Sequence, residues 1–107
     1  MANMVIAVYR PRAGREAELL ELVRGHVPAL RKLGLATERA PTVLRAKDGS
    51  LLEVFEWVSP EAVERAHHLP EVRELWARFE QVCEWAPLES LEEARTPFSH
   101  FELVDVR

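Results

Sequence analysis

Two segments of this chain are apolar on both of the faces that a strand presents. Met4–Tyr9 (MVIAVY) is a β-branched run closed by Arg10-Pro11, and it reads as a strand. Side chains alternate along a strand, so Met4, Ile6 and Val8 point one way while Val5, Ala7 and Tyr9 point the other. Leu51–Val58 repeats the arrangement, with Leu52, Val54 and Val58 opposing Leu51, Phe55 and Trp57. A sheet made of such strands has two sides to cover. One layer of helices leaves the second side facing water, and the simplest second cover is an identical chain.

The rest of the chain supplies the helices and turns. Gly14 marks the turn into a helical pattern in which Leu19, Leu22, Val23, His26, Leu30 and Leu33 share one stripe, and Gly34 stands at the C-cap. Pro28 lies within this helix and predicts an irregularity. Glu38–Ala46 and Leu51–Val58 flank Lys47-Asp48-Gly49-Ser50, a hairpin signal, and Pro41 assigns the first of the two to an edge. Ser59-Pro60-Glu61 is a helix start with a hydroxyl N-cap and proline at N1. Ala62, Val63, Ala66 and Leu69 form the buried side of that helix, and Pro70 breaks it. A second stripe, Val72, Leu75, Trp76, Phe79, Val82 and Cys83, predicts helix to about Trp85. Pro87 to Pro97 reads as a charged connection, with Glu89, Glu92 and Glu93 in solvent, and Phe98–Asp105 as the last strand.

The order is β-α-β-β-α-β, the split-βαβ pattern of an α+β, ferredoxin-like fold. It predicts a four-stranded antiparallel sheet with both helical regions on one face, and a homodimer formed by the other. A chain of 107 residues, 48% hydrophobic, fits a single domain spanning residues 1–107. The net charge is −4, with twelve Arg and two Lys dispersed, so no basic stripe for nucleic acid is expected. One Cys cannot form an internal disulfide, and no Cys/His cluster suggests zinc. No apolar run is long enough to span a bilayer, and Met4–Val8 lacks a basic leader and a cleavage site, so a cytoplasmic protein is expected. Arg and Glu dominate the polar residues while Asn and Gln occur once each, a bias shared by thermophiles and GC-rich genomes.

Glu53-Val54-Phe55-Glu56-Trp57-Val58-Ser59-Pro60-Glu61-Ala62 resembles a strand ending in Trp followed by an acidic helix start, as in the antibiotic biosynthesis monooxygenase-like family of dimeric α/β barrels. His67-His68-Leu69-Pro70-Glu71-Val72 is similar to that family's next segment, and the element order matches over nearly the whole chain. The resemblance implies a pocket between sheet and helices. Some members of that family oxidise planar polycyclic substrates with O₂ and no cofactor, others degrade haem, and many have no assigned activity. The positions that hold an Asn, a Trp and a His in the haem-degrading branch are Ala7, Ala66 and Trp76 here, so neither haem nor another cofactor is expected.

Within that frame the candidate catalytic residues are His26 and His67, and the candidate ligand-pocket residues are Tyr9, Trp57 and Trp76. His26 interrupts an apolar stripe, as either a pocket base or a core histidine bonded to backbone or water. His67 and His68 are adjacent and diverge on a helix, which argues against a metal pair, with His68 in solvent. Three aromatics fit a flat ligand, although such a stripe more often fills a core. Trp85 is expected outside the stripe, against a partner or a loop; Cys83 as a buried, inert thiol; and His100 as an ordinary strand-face residue. No Gly-rich phosphate loop, GxSxG or HExxH is present. Two functions fit: a monooxygenase-like enzyme, and a non-catalytic ligand-binding or regulatory homodimer.

Overall fold

In the computed structural model, which describes Met1–Arg107, the first strand β1 (Asn3–Pro11) turns through Gly14, whose φ of 78° is left-handed and suits glycine. Helix α1 (Glu16–Lys32) follows and runs through Pro28 without interruption. It ends in a complete Schellman cap. Gly34 takes φ 75°, its N–H donates to the Arg31 carbonyl, and the Leu35 N–H reaches back to Leu30 at 2.9 Å. Strands β2 (Thr42–Arg45) and β3 (Leu51–Trp57) form the expected hairpin, with Gly49 at φ 91° and the Asp48 carboxylate accepting from the Ser50 N–H. The Ser59 hydroxyl accepts from the Ala62 N–H at 3.1 Å and caps α2 (Pro60–Ala66). Proline fits only the first turn of a helix, and Pro70 accordingly opens a separate helix, α3 (Pro70–Val82).

Several elements differ from expectation. The second strand does not begin at Glu38, because Thr37–Pro41 is held as a loop. Arg31 donates to the Thr37 carbonyl, the Thr37 hydroxyl donates to Glu56 at 2.8 Å, and Pro41 has no N–H to give a ladder. The stripe expected to stay helical to Trp85 stops at Val82. Cys83 is already extended at φ −152°, ψ 170°, and β4 (Cys83–Trp85) pairs with Tyr9–Pro11. Pro87 disfavours helix at Ala86, and the free edge of β1 needs partners. The segment supplies them, with the Ala86 N–H on the Val8 carbonyl at 3.0 Å and the Arg12 N–H on the Val82 carbonyl at 2.8 Å.

The last strand is also shorter than Phe98–Asp105. β5 covers only Glu102–Val104 and pairs with β2, at the edge opposite β4. The Thr96 hydroxyl stands 3.1 Å from both the Glu93 and Phe98 carbonyls, which share its one proton around Pro97, and Phe98 and His100 lie outside the ladder and exposed. The sheet is therefore five-stranded, not four-stranded: an open antiparallel sheet in the order β4-β1-β3-β2-β5, which with three helices makes an α+β fold.

The helices cover the face that carries Tyr9, Phe55 and Trp57. On the other face the chain supplies part of the cover itself. The Pro87–Pro97 connection is no solvated link: its two 3-10 turns, Leu88–Ser90 and Glu92–Arg95, lay Leu91 onto Val8, Ala46 and Leu52. Leu91 is buried, while Met4 and Ile6 beyond its reach stay half exposed. No helix is long and apolar enough to cross a membrane.

Candidate functional site

At the centre of the helix-covered face, between Leu51 and Phe55 of β3, stands a carboxylate. Alternation sends Leu51, Glu53, Phe55 and Trp57 to the same side, so Glu53 is carried into the core, where it is fully buried. Burial of a carboxyl group is tolerated when donors surround it. Here the Tyr9 hydroxyl from β1 donates to Glu53 Oε1 at 2.7 Å, and His26 Nδ1 from α1 lies 2.8 Å from the same oxygen. Oε2 is buried without a partner.

The other nitrogen of His26 settles the direction of these bonds. An indole N–H can only donate, and Trp76 Nε1 stands 3.0 Å from His26 Nε2. Nε2 therefore presents its lone pair, the ring proton sits on Nδ1, and Nδ1–H donates to Glu53. The chain of donors runs from Trp76 through His26 to Glu53, and from Tyr9 to the same oxygen. The ring of His26 is held edge-on by Phe55 and Phe79, at centroid distances of 5.4 and 5.2 Å. Tyr9 stacks on Phe79 at 5.0 Å. Burial, then the Glu53 charge, pushes the Tyr9 hydroxyl well above its ordinary pKa, so it stays a donor.

These side chains border a cavity of about 410 Å³ between the sheet and the helices, a size that suits a small ligand. The five residues singled out in the sequence, Tyr9, His26, Trp57, His67 and Trp76, all line it, with Phe55, Val63 and Trp85 among the others. His26 combines both of its expected characters, being buried and also on the cavity wall, with a carboxylate in place of backbone or water as its partner. His67 lies at the exposed rim. Its Nδ1 bonds the Val63 carbonyl at 2.8 Å and its ring meets Trp76 edge-on at 5.1 Å. The structure thus places the two histidines on either side of Trp76, without a bond between them. His68 points to solvent near Glu64.

Trp85 is corrected by the fold. As part of β4 it sits beside Tyr9 in register and faces the cavity, half exposed, instead of lying behind a helix. Cys83 is buried on the same strand, and desolvation raises its thiol to about 11, which makes it a poor nucleophile. His100 sits in the loop before β5 and not on a strand face. No three His, Cys, Asp or Glu side chains converge as a metal site requires. The chain matches no protein-family model, no curated protein and no solved structure.

Glu53 is the residue that sequence reasoning missed. Its signal was present in the alternation of β3, since a lone acid at an inward position between Leu51 and Phe55 demands a buried partner. Trp76 has a second distinction. It is the one partly buried side chain that packs against both helix-side core clusters, whose boundary the Glu53–His26 pair occupies.

Proposed function

We propose that this chain binds a flat, hydroxylated aromatic molecule in the sheet–helix cavity and oxidises it with O₂ without a cofactor. The observation that carries the reading is His26, an imidazole of fixed tautomer backed by a buried carboxylate and set in an aromatic wall. A base so oriented accepts a phenolic proton, and the positive imidazole that results is stabilised by Glu53. The electron-rich anion then reacts with O₂. In an anthrone-like substrate a ring CH₂ becomes C=O, one oxygen atom is retained, and the other leaves as water. Tyr9 and Trp57 contribute a phenol and an indole to the wall, and His67 stands at the mouth.

A second reading, binding without turnover, is favoured by one observation: the Nε2 lone pair is already taken by the Trp76 N–H. Oxygen uptake with anthrones and quinols separates the two. Uptake that drops by about 10²–10⁴ in His26→Ala supports the enzyme. Saturable quenching of Trp fluorescence with no uptake supports the binding module, and absence of both overturns the cavity as a ligand site.

The same reading includes assembly. The order β4-β1-β3-β2 with helices on one face supports a ferredoxin-like core to which β5 is appended. Met4 and Ile6, left half exposed beside the Leu91 cover, support pairing with a second copy of the chain across the helix-free face. A stable pair buries about 800 Å² per partner. Light scattering that returns the mass of one chain at micromolar concentration refutes the dimer.

A further inference from the structure

We infer that Trp76 is an internal stand-in for the ligand's hydroxyl, so that the cavity selects aromatic molecules that donate a hydrogen bond at the position of the indole N–H. The inference rests on the cavity being the ligand site proposed above. Two of the polar bonds at the floor of the cavity run inward and converge on one oxygen, and the third ends on His26 Nε2. Tyr9 and His26 both donate to Glu53 Oε1, and both are almost fully buried. Neither donor, the Tyr9 hydroxyl nor the His26 Nδ1–H, can be offered to a ligand without unmaking the buried carboxylate's support. His67 has its Nδ1 committed to the Val63 carbonyl. The one floor bond made by a side chain with freedom to leave is Trp76 Nε1–H to His26 Nε2, because Trp76 is only partly buried and forms cavity wall on one side.

A lone pair on a buried imidazole is costly to leave without a donor, so Nε2 holds either the indole or something that replaces it. A phenol or enol brings a donor and an aromatic plane together, and takes over the bond as Trp76 turns aside. A methyl ether or ketone of the same shape brings no donor, and Trp76 keeps its place. The wild-type protein discriminates between these ligands only by the exchange of one hydrogen bond for another, which is a small difference. Without the indole N–H the same discrimination becomes large, because the ether leaves Nε2 bare while the phenol satisfies it.

Trp76→Phe removes the donor and keeps an aromatic ring. The probes are 2-naphthol and 2-methoxynaphthalene, with binding followed by calorimetry. The expected result is that the ratio of naphthol to ether affinity rises about tenfold in Trp76→Phe relative to the wild type. An unchanged ratio, with naphthol still binding saturably, overturns the role of Trp76 and leaves the ligand site standing; failure of both probes to bind the wild type overturns both. A second measurement is independent of the variant's stability. On titration of the wild type with 2-naphthol, the Trp76 indole N–H resonance is expected to lose its hydrogen-bonded position while the His26 proton stays on Nδ1. Saturation with that resonance unmoved also refutes the exchange.

Discussion

The two faces of the sheet bury similar residues by different means. On the helix-free face, Val8, Ala46 and Leu52 pack with Leu91 in a small apolar cluster. On the helix-covered face, two apolar clusters are divided by Glu53, His26 and Tyr9. An apolar set of similar volume would fill that space at no loss of stability and often at a gain. The contrast is that one face is sealed by apolar packing and the other is built around a polar set that packing alone does not call for. That set keeps an imidazole in one tautomer beside the cavity, the arrangement on which the proposed binding and proton transfer rest.

Four substitutions and one titration sharpen or break this contrast. The largest effect is expected for Glu53→Ala, which strands the Tyr9 hydroxyl and the His26 N–H together and opens a hole, at a cost of about 3–5 kcal/mol in denaturant unfolding. Leu91→Ala follows, at about 2–4 kcal/mol by the same measurement, because it removes the seal without stranding any polar group. If Leu91→Ala proves the more costly, the polar set is not the vulnerable part. Trp76→Ala is expected to cost about 1–2 kcal/mol, less than the roughly 3–5 typical of a fully packed Trp, since one side of the ring already faces a cavity. A larger loss would mean a filled core. Ile6→Asp should alter the unfolding free energy of the single chain by less than about 0.5 kcal/mol and yet abolish the proposed dimer in sedimentation.

The smallest signal belongs to Tyr9, the sole tyrosine of the chain. Its folded pKa lies well above the ordinary 10.0, so its contribution to stability is complete below that pH and declines as pH rises beyond it. Phenolate absorbance is therefore expected to stay flat in the native protein and to appear only together with alkaline unfolding. Early, reversible ionisation in the folded state would contradict the burial of the Tyr9–Glu53 bond.

Local chemistry made much of this legible in the sequence. Ser59-Pro60, Asp48-Gly49, Gly34 and Pro70 each produce the cap, turn or break that their side chains dictate. The cavity wall was legible because aromatic residues and histidines at helix and strand spacing pointed to one space. What stayed hidden depended on partners distant in the chain. Cys83 continues a helical stripe by periodicity, and only the unpaired edge of β1 makes Cys83–Trp85 a strand. Leu91 sits among Glu residues that mask its role until Val8 and Leu52 are brought beneath it. Glu53 was visible as an inward acid, but the donors that justify it come from β1 and α1.

The absence of any loop between α3 and β4 has a mechanical consequence. Val82 ends the helix and Cys83 begins the strand, so Trp76 and Trp85, on opposite walls of the cavity, hang from one taut stretch of backbone. Sliding α3 outward to admit a guest would drag β4 off β1 and break the Ala86–Val8 and Arg12–Val82 amide bonds. Any admission of the proposed ligand would then proceed by rotation of side chains against the frame, on the timescale of rotamer flips instead of helix displacement. In amide exchange, the protons of Arg12 and Ala86 would share the slow rate of the α3 C-terminal turn.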